Sequence, residues 1–318
     1  MSSASSGSST PAAVSVAPSS AMPGAALDAD ALIAGLLPRC TFPVAGTRVA
    51  CAVSGGPDSM ALLVLATRAG LVATAHHVDH GLRPASRDEG ALVRALAREL
   101  GADFVETRVR IEPGPNLEAR AREARRAVLP GDAMTGHTLD DQAETVLVNL
   151  MRGAGAAGAA AMAPGHRHPL LSIRRDETHA VCRALGIRTA DDESNRDPRH
   201  QRNRVRAEVL PLLADVARRD PAPLLARHAE LARDDEALMD ELAAGLDPTD
   251  ARALCAAPLP LARRAVRRWL TAEYPPDLAT VDRVLDVAHG RATACHVAGG
   301  REVRRRAQRL AIVPLTRP

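Results

Sequence analysis

Apolar and polar positions follow two alternating patterns along the first two thirds of the chain. Short runs rich in β-branched residues, or alternating with period two, predict strands at 49–53, 71–75, 104–111 and 133–136. Longer stretches with helical spacing of apolar residues lie between and after them, at 58–69, 86–100, 116–128 and 139–151. Strands that alternate with helices predict an α/β fold with a doubly wound parallel sheet.

The strand pattern ends near Leu212. Beyond it, helices are predicted at 221–245, 258–272 and 278–289, with a short hairpin around Gly299 and Gly300. We therefore predict a second, smaller, mainly helical domain. The expected organisation is a disordered tail at 1–28, the α/β domain at 29–215 and the helical domain at 216–318.

The amino-acid composition limits the cellular compartments in which the protein is expected. The first residues are mainly Ser, Ala, Pro and Gly, without the basic and apolar regions of a signal peptide, which predicts a disordered tail. The five cysteines are scattered and form no C-x-x-C pair, which argues against disulfides and thiolate metal sites. No apolar stretch reaches about 18 residues, so no membrane span is expected. We expect a cytoplasmic protein.

Two residue types are scarce. All 41 basic side chains are arginines, because the chain contains no lysine. The only aromatic residues are Phe42, Phe104, Trp269 and Tyr274. Few side chains can therefore stack on nucleic-acid bases, and any affinity for RNA must depend on arginine. The net charge of +3 is too small to indicate an RNA partner by itself.

A glycine loop, Ser54–Ser59, connects the first predicted strand to the first helix that follows it. Gly55 and Gly56 allow a sharp turn and close approach of a ligand. Asp58 or Ser59 is expected to cap the helix, whose free N–H groups favour an anion. A Walker A loop needs a Gly-Lys-Ser/Thr ending. That class of phosphate site is excluded by the absence of lysine.

Two further polar clusters follow predicted strands, at 76–80 and 137–141. Ligands bind at the carboxyl ends of strands in such sheets, so both clusters are expected to meet the glycine loop. The cluster of His76, His77, Asp79 and His80 fits a metal site, a satisfied strand end or substrate handling.

Acidic residues near the second cluster suggest a metal site. Mg²⁺ bound with ATP needs few carboxylates beside the phosphate oxygens, and Asp58 and Asp141 fit that need. Glu144 lies three residues after Asp141 on one helix face and would remain free for a cationic group. Asp140 fits a helix cap. The alanine- and glycine-rich segment 152–164 is expected to be a flexible loop able to close over a ligand.

Taken together, these segments resemble the tRNA(Ile)-lysidine synthases, a family of PP-loop ATP pyrophosphatases. The resemblance covers residues 48–212 in order and extends more loosely from 216 onward. The chain is expected to end before the additional C-terminal domain of longer members. The motifs that carry it are Ser54–Ser59, His77–Arg83, Asn116–Arg125, Gly136–Thr145, Arg152–Pro164, Pro169–Leu171 and Asp192–Arg206.

The resemblance implies a two-step ligation that uses ATP and Mg²⁺. The wobble cytidine of an isoleucine tRNA with a CAU anticodon is adenylated and pyrophosphate leaves. The amine of L-lysine then displaces AMP to form lysidine. The sequence pattern does not decide the oligomeric state, and a homodimer is compatible with it.

The resemblance also implies residue roles. Catalytic roles fall to Asp58, Arg122, Arg125, Asp141 and Glu144, with Asp58 and Asp141 as metal ligands and Glu144 as a site for the lysine ammonium group. The nucleotide is expected to contact Ser54, Gly55, Gly56, Pro57, Asp58, Ser59, His77, Asp79, His80, Gly136 and His137. Contacts with tRNA are expected from Arg83, Asn195, Arg202, Asn203, Arg206, Arg264 and Arg268.

Three alternatives remain at this stage. The first two are other PP-loop enzymes: tRNA thiolases, which need cysteines near the site, and amide-forming synthetases, which need no basic helical appendage. The third is a non-catalytic RNA-binding module, supported by five arginines within 301–309. Such a module would not need three carboxylates converging on a glycine loop.

Overall fold

The computed structural model describes residues 28–79, 86–110, 117–190, 197–272 and 275–315. Its N-terminal part alternates strands with helices, as predicted. The helices are α1 Ala29–Leu36, α2 Pro57–Arg68, α3 Ser86–Glu99, α4 Leu117–Val128, α5 Leu139–Met151, α6 Ala156–Ala159 and α7 Arg175–Ala184. The strands are β1 Arg48–Ala52, β2 Val72–Asp79, β3 Asp103–Arg108 and β4 Met134–Thr135.

The four strands form one sheet in the order β3-β2-β1-β4, and every neighbouring pair is parallel. This arrangement confirms the predicted α/β fold class. The strand β2 is longer than predicted, because its pairing with β3 continues to Asp79 opposite Arg108. His76, His77 and Asp79 therefore belong to the strand itself and not to a loop after it.

The core is built around α2, whose residues Met60–Ala66 are completely or almost completely buried. Leucine, valine and alanine supply most of this core, and Phe42 and Phe104 pack at its edge. A helix that is apolar on all sides suits a position between the sheet and the helices that cover it. The well-packed α2 fixes the direction of the glycine loop that precedes it.

The C-terminal part consists mainly of helices followed by a small sheet. The helices are α8 Gln201–Arg204, α9 Leu210–Ala217, α10 Ala222–Ala244, α11 Ala251–Ala256, α12 Leu259–Leu270 and α13 Leu278–His289, with a π-helical turn at Val205–Val209. The strands β5 Ala294–Val297, β6 Arg301–Arg306 and β7 Arg309–Pro314 form an antiparallel sheet. The predicted hairpin at Gly299 and Gly300 is thus two strands of a three-stranded sheet.

Helix α10 connects the two parts of the molecule. It packs against α5 and α6 on one side and against α12 on the other. The contact with α12 is polar: Arg264 donates to Glu236 at 2.6 Å and to Asp240 at 2.9 Å, and Arg268 donates to the Asp240 carbonyl at 2.8 Å. Both guanidinium groups thus help to join α10 and α12, while Arg268 remains exposed, and contact of these two arginines with tRNA stays a prediction.

Most of the predicted tail, residues 1–27, lies outside the described residues. Asp28 accepts hydrogen bonds from the amides of Asp30 and Ala31 and so caps α1 instead of belonging to a tail. Among the described residues, no helix is both long and apolar enough to cross a membrane.

Candidate active site

The glycine loop is held by its own serines. The Ser59 hydroxyl donates to the Gly56 carbonyl at 2.9 Å and accepts from the Ser54 amide at 3.1 Å. The Ser54 and Ser59 hydroxyls lie 3.2 Å apart. Gly55 has a φ of 92°, a conformation that favours glycine. The loop is therefore preformed at the carboxyl end of β1.

The cap of α2 differs from the prediction. Gly56 is the N-cap residue, no side chain caps the helix, and Pro57 occupies the first turn. Neither Asp58 nor Ser59 caps α2, because Ser59 turns back into the loop and Asp58 turns toward α7. The first amides of α2 are thus not used by a side-chain cap, which suits an anionic ligand.

Gly136, directly after β4, lies against the backbone of α2. A Cβ atom at this position would lie 2.6 Å from the Asp58 carbonyl oxygen and 2.8 Å from its carbon. Only a residue without a side chain allows this approach. The contact brings the segment 136–141 beside the glycine loop.

One arginine of α7 joins three acidic residues of two other helices. Arg175, at the start of α7, lies 3.5 Å from Asp58, 3.0 Å from Asp141 and 3.1 Å from Glu144, measured between guanidinium nitrogens and carboxylate oxygens. The Thr178 hydroxyl also donates to Asp58. The carboxylates predicted to converge are therefore brought together, with a guanidinium group between them.

Glu144 is completely buried and already has its cationic partners. Besides Arg175, its carboxylate accepts from Arg202 at 2.9 Å and from Arg206 at 2.7 Å. Arg206 belongs to the π-helical turn, a local geometry that is frequent at functional sites. Glu144 therefore already has three cationic partners, and Arg202 and Arg206 lie at the edge of the site, about one third exposed. The predicted ammonium site at Glu144 and the predicted tRNA contacts of the two arginines stay predictions.

The charges set the protonation of this cluster. Burial alone would raise the pKa of Asp141, but the positive charges of Arg175 and Arg202 outweigh it and lower that pKa. Burial raises the pKa of Asp58, against the opposing effects of the Thr178 hydrogen bond and Arg175. The cluster thus holds an ionised Asp141 next to a carboxyl group that binds a proton more readily.

Asp140 and Asp141 have structural tasks at the start of α5. Asp141 accepts from the amide and hydroxyl of Thr138, which forms a capping box. Asp140, expected as a cap, instead accepts from Arg174 at 2.8 Å and from the Arg175 amide at 2.8 Å. These bonds hold α5 and α7 together, so that Arg175 is positioned from both sides.

The strand β2 contributes two buried groups. His77 is 2% exposed, its Nδ1 lies 2.9 Å from the Val53 carbonyl oxygen, and its Nε2 has no hydrogen-bond partner. Asp79 is 3% exposed and accepts from Arg108 at 3.1 Å. This contact joins His77 of β2 to the backbone directly before the glycine loop.

A second cluster joins Thr135, His137 and His168. The Thr135 hydroxyl lies 2.7 Å from the Nδ1 atom of each histidine, and the two rings pack edge to face. Burial lowers the pKa of His137 to about 4 and also lowers that of His168. Both imidazoles are therefore neutral near pH 7 and can each accept or donate one hydrogen bond.

Several predicted residues are described in part or not at all. His80, Arg83 and Asn195 lie outside the described residues, and the Arg122 side chain is also outside them, although its backbone belongs to α4. The positive charge of Arg125 acts on His137, which places α4 beside the site. Asn203 donates to the Asp197 carbonyl at 2.9 Å, a contact within its own segment.

The segment 152–164 is fixed rather than free. The Gln142 side chain binds both the amide and the carbonyl of Met162. Asn149 donates to the Gly158 carbonyl, and Arg233 of α10 donates to the carbonyls of Ala160 and Met162. These contacts hold the segment against α5 and α10 in this structure, and its closure over a ligand stays a prediction.

The carboxylates fit Mg²⁺ only together with another oxygen donor. Asp58 and Asp141 each direct one carboxylate oxygen toward Arg175, and such oxygens are the ligands that Mg²⁺ prefers. Within the described ranges, no group of three or more His, Cys, Asp or Glu side chains is arranged to hold a metal. Phosphate oxygens of a nucleotide would complete the coordination.

The sequence matches two families in succession. Residues 35–213 match a family described as the PP-loop domain, and residues 250–311 match the TilS substrate binding domain. The chain is 43% identical over 281 residues to the tRNA(Ile)-lysidine synthase of Nocardia farcinica, covering 81% of this chain and 88% of that protein. The chain belongs to the tRNA(Ile)-lysidine synthase family.

A second member of the family has similar sequence identity to this chain. The tRNA(Ile)-lysidine synthase of Mycobacterium tuberculosis is 43% identical over 241 residues, which cover 69% of this chain and 74% of that protein. Among solved structures, the U34-tRNA thiolase NcsA of Methanococcus maripaludis matches with a TM-score of 0.53 at 18% identity, over 64% of this chain and 80% of that one. This likeness concerns the fold alone.

Sequence reasoning missed Arg175, Thr178 and His168. Arg175 occurs in an Arg-Arg pair at a helix start, where a basic residue is unfavourable next to the helix dipole. That local disadvantage is a signal that a buried acidic partner compensates the charge. His168 has no comparable signal, because its contact with Thr135 depends on the tertiary structure.

We predict that Gly136→Ala disturbs the loop. The added Cβ would overlap the Asp58 carbonyl, and relief of such overpacking costs roughly 1–3 kcal/mol of unfolding free energy. Urea unfolding measures this cost. Gly131→Ala is the matched control, because no atom lies within 4 Å of a Cβ at Gly131. Equal midpoints for the two variants would contradict the close approach.

We predict that Glu144→Gln destabilises the protein strongly. The change leaves three arginines around a buried neutral group, and removal of one partner from such a cluster costs about 3–5 kcal/mol. Thermal and urea unfolding measure the loss. Glu208→Gln is the control, because Glu208 forms a pair with Arg204 on the surface. A loss no larger than that of the control would disprove the importance of this cluster.

We predict that His137 makes stability depend on pH. Its pKa is about 4 in the folded protein against 6.5 for an ordinary histidine, so the unfolded chain takes up the proton first as pH falls. The contribution is complete above about pH 6.5 and is lost toward pH 4, by roughly 3 kcal/mol. Unfolding free energies of His137→Gln should decline less over this range than those of the wild type. Parallel declines would refute the assignment.

Proposed function

We propose that this chain forms lysidine on an isoleucine tRNA with a CAU anticodon. The C2 carbonyl oxygen of the wobble cytidine attacks the α-phosphate of ATP, and pyrophosphate leaves. The amine of free L-lysine then attacks C2 of the adenylated base and AMP departs. Family membership makes the chain a ligase that forms carbon–nitrogen bonds. The wobble base and the amino acid are the parts that we propose.

The observation that carries this proposal is the acidic cluster beside the preformed glycine loop. Asp58 and Asp141 come from two helices that start at neighbouring strand ends, and Arg175 bridges them. A binding module has no need to bury several carboxylates at one point, because the repulsion among them costs stability. A reaction that handles nucleotide phosphates and a metal ion does need them.

We assign the phosphates of ATP to the loop Ser54–Ser59 and the first amides of α2. Asp58 and Asp141 would hold Mg²⁺, which neutralises phosphate charge as pyrophosphate leaves. Thr178 keeps the Asp58 carboxylate in place, and the Thr138 capping box does the same for Asp141. Arg125 and Arg122, on α4, would add positive charge at the leaving group.

The chemistry of the cluster suits the carboxylate end of L-lysine better than its ammonium end. Arg202 and Arg206 are about one third exposed, with side-chain values of 31% and 34%, and they carry positive charge at the edge of the site. An arginine can hold a carboxylate with two parallel hydrogen bonds. Glu144 then acts as the group that positions these arginines instead of touching the amine.

We assign tRNA binding to the C-terminal part and place the domain boundary between 215 and 216. The strand β6 and its turn supply Arg304, Arg305 and Arg306, two of them on the exposed side of the sheet. Phosphate contacts from arginine fit a chain that has few aromatic residues. A cytoplasmic location fits the five cysteines, which are all free thiols.

The comparisons do not favour the alternative of another PP-loop enzyme. A thiolase needs a reactive cysteine, and burial raises the pKa of both Cys51 and Cys182 to about 12. A thiol with such a pKa carries almost no thiolate near pH 7 and is a poor nucleophile or metal ligand. The cysteines nearest the loop are therefore core residues.

The decisive assay combines ATP, Mg²⁺, radiolabelled L-lysine and a CAU-bearing isoleucine tRNA. We expect label in the tRNA and one pyrophosphate released for each lysine incorporated. The CAU-bearing methionine tRNA is the matched control and should accept no label. Pyrophosphate release without incorporation of lysine would support another PP-loop reaction, and neither product would disprove the proposal.

We predict that Arg175→Ala reduces lysidine formation at least tenfold. Loss of the guanidinium group leaves Asp58, Asp141 and Glu144 without their shared counterion, so the site is no longer held in one geometry. Arg175→Lys should restore only part of the rate, because an ammonium group cannot bridge three carboxylates at once. Arg183→Ala, exposed at the end of the same helix, is the control. Full activity of Arg175→Ala would contradict the role.

A further inference from the structure

Two carboxylate oxygens of the site face the same guanidinium group. One oxygen of Asp58 accepts from the Thr178 hydroxyl, and its other oxygen lies 3.5 Å from Arg175. One oxygen of Asp141 accepts from the amide and the hydroxyl of Thr138, and its other oxygen lies 3.0 Å from Arg175. The two oxygens that are left for a metal ion are therefore the ones that Arg175 contacts.

A metal ion and Arg175 compete for the same side of these oxygens. Mg²⁺ binds oxygen at about 2.0–2.1 Å and carries two positive charges. A guanidinium nitrogen 3.0 Å from the Asp141 oxygen fills the space that this ion needs and repels its charge. The Arg175 side chain is only 17% exposed, so water and salt screen this repulsion weakly.

The charges of the cluster already cancel when its carboxyl groups are ionised. Three carboxylates and three guanidinium groups contact one another here, namely those of Asp58, Asp141, Glu144, Arg175, Arg202 and Arg206. A divalent cation added alone would leave two positive charges in excess at a largely buried place, which is costly. The negative phosphates of a nucleoside triphosphate offset that excess, so the cluster favours a metal ion that arrives with phosphates.

We propose that Arg175 occupies the place of the divalent cation and leaves it only when the metal ion enters together with the phosphates of a nucleotide. This inference rests on the proposed function, which assigns the metal ion to Asp58 and Asp141. Arg175 is then a positioning residue: it holds the two carboxylates close together before the nucleotide binds, and it excludes free divalent cations.

Glu144 retains Arg175 in the site after this exchange. Its carboxylate is completely buried and lies 3.1 Å from the Arg175 guanidinium group. Arg202 and Arg206 hold the same carboxylate at 2.9 and 2.7 Å, so it does not turn away with the aspartates. Released from Asp58 and Asp141 but still bound to Glu144, the guanidinium group can donate to phosphate oxygens, which it binds well.

Binding of Mn²⁺ to the full chain, without ATP or tRNA, tests the inference. Mn²⁺ uses the same oxygen ligands as Mg²⁺, and electron paramagnetic resonance measures the free ion. We expect Arg175→Gln, which removes the charge, to bind Mn²⁺ at least tenfold more tightly than the wild type. Arg175→Lys keeps the charge and should gain much less. Arg183→Ala is the matched control, because it removes a charge from the exposed end of the same helix.

A double variant locates the metal ion that Arg175→Gln admits. Asp141→Asn in the Arg175→Gln background removes one ligand charge and should abolish the gain in affinity. Melting followed by circular dichroism gives a second readout, because a ligand stabilises the folded state that binds it. Mg²⁺ alone should raise the melting temperature of Arg175→Gln and leave that of the wild type unchanged. Mg²⁺ with ATP should raise the wild-type value more than ATP alone.

Equal Mn²⁺ affinities of the wild type and Arg175→Gln would overturn the inference, and so would a double variant that keeps the gain. One measurement needs no change at Arg175: a rise in the wild-type melting temperature with Mg²⁺ alone that Asp141→Asn abolishes also overturns it. These experiments contain neither tRNA nor L-lysine. A failure of lysidine formation in the assay above is therefore distinguishable from a failure of this inference.

Discussion

The site depends on the guanidinium group of Arg175. Asp58, Asp141 and Glu144 come from two helices, and three carboxylates this close repel one another strongly where water is scarce. Arg175 makes the arrangement stable because its planar group can donate in several directions at once. The same contact fixes the starts of α2, α5 and α7 relative to one another.

The elements around Arg175 are positioned by a series of packing contacts. The fully packed α2 directs the glycine loop, and Gly136 lets the end of β4 approach the backbone of that helix. Glu144 then holds Arg202 and Arg206 of the following helical segment. Helix α5 also packs on α10, which is joined to α12 through Arg264. The candidate site and the C-terminal part are therefore linked by continuous packing.

Much of the fold was predictable because it depends on local patterns. Period-two and helical repeats predicted the parallel sheet, and the bounds of α5 agree with the predicted 139–151. The predicted length of β2 was wrong. Polar residues such as His77 and Asp79 are typical of the loop after a strand, and only the pairing with β3 includes them in the strand. The third C-terminal strand was missed because its pairing is not local.

The sequence by itself determined which chemical groups are present and which of them follow the ends of strands. Without lysine, the loop Ser54–Ser59 excludes one class of phosphate site, and the order of elements brings Asp58 and Asp141 to one edge. Only the tertiary structure decided the partners. In the sequence, Glu144 has the pattern of an unpaired carboxylate on α5. In the fold, arginines from two distant segments neutralise its charge, because a buried charge is stable only with a partner of opposite sign.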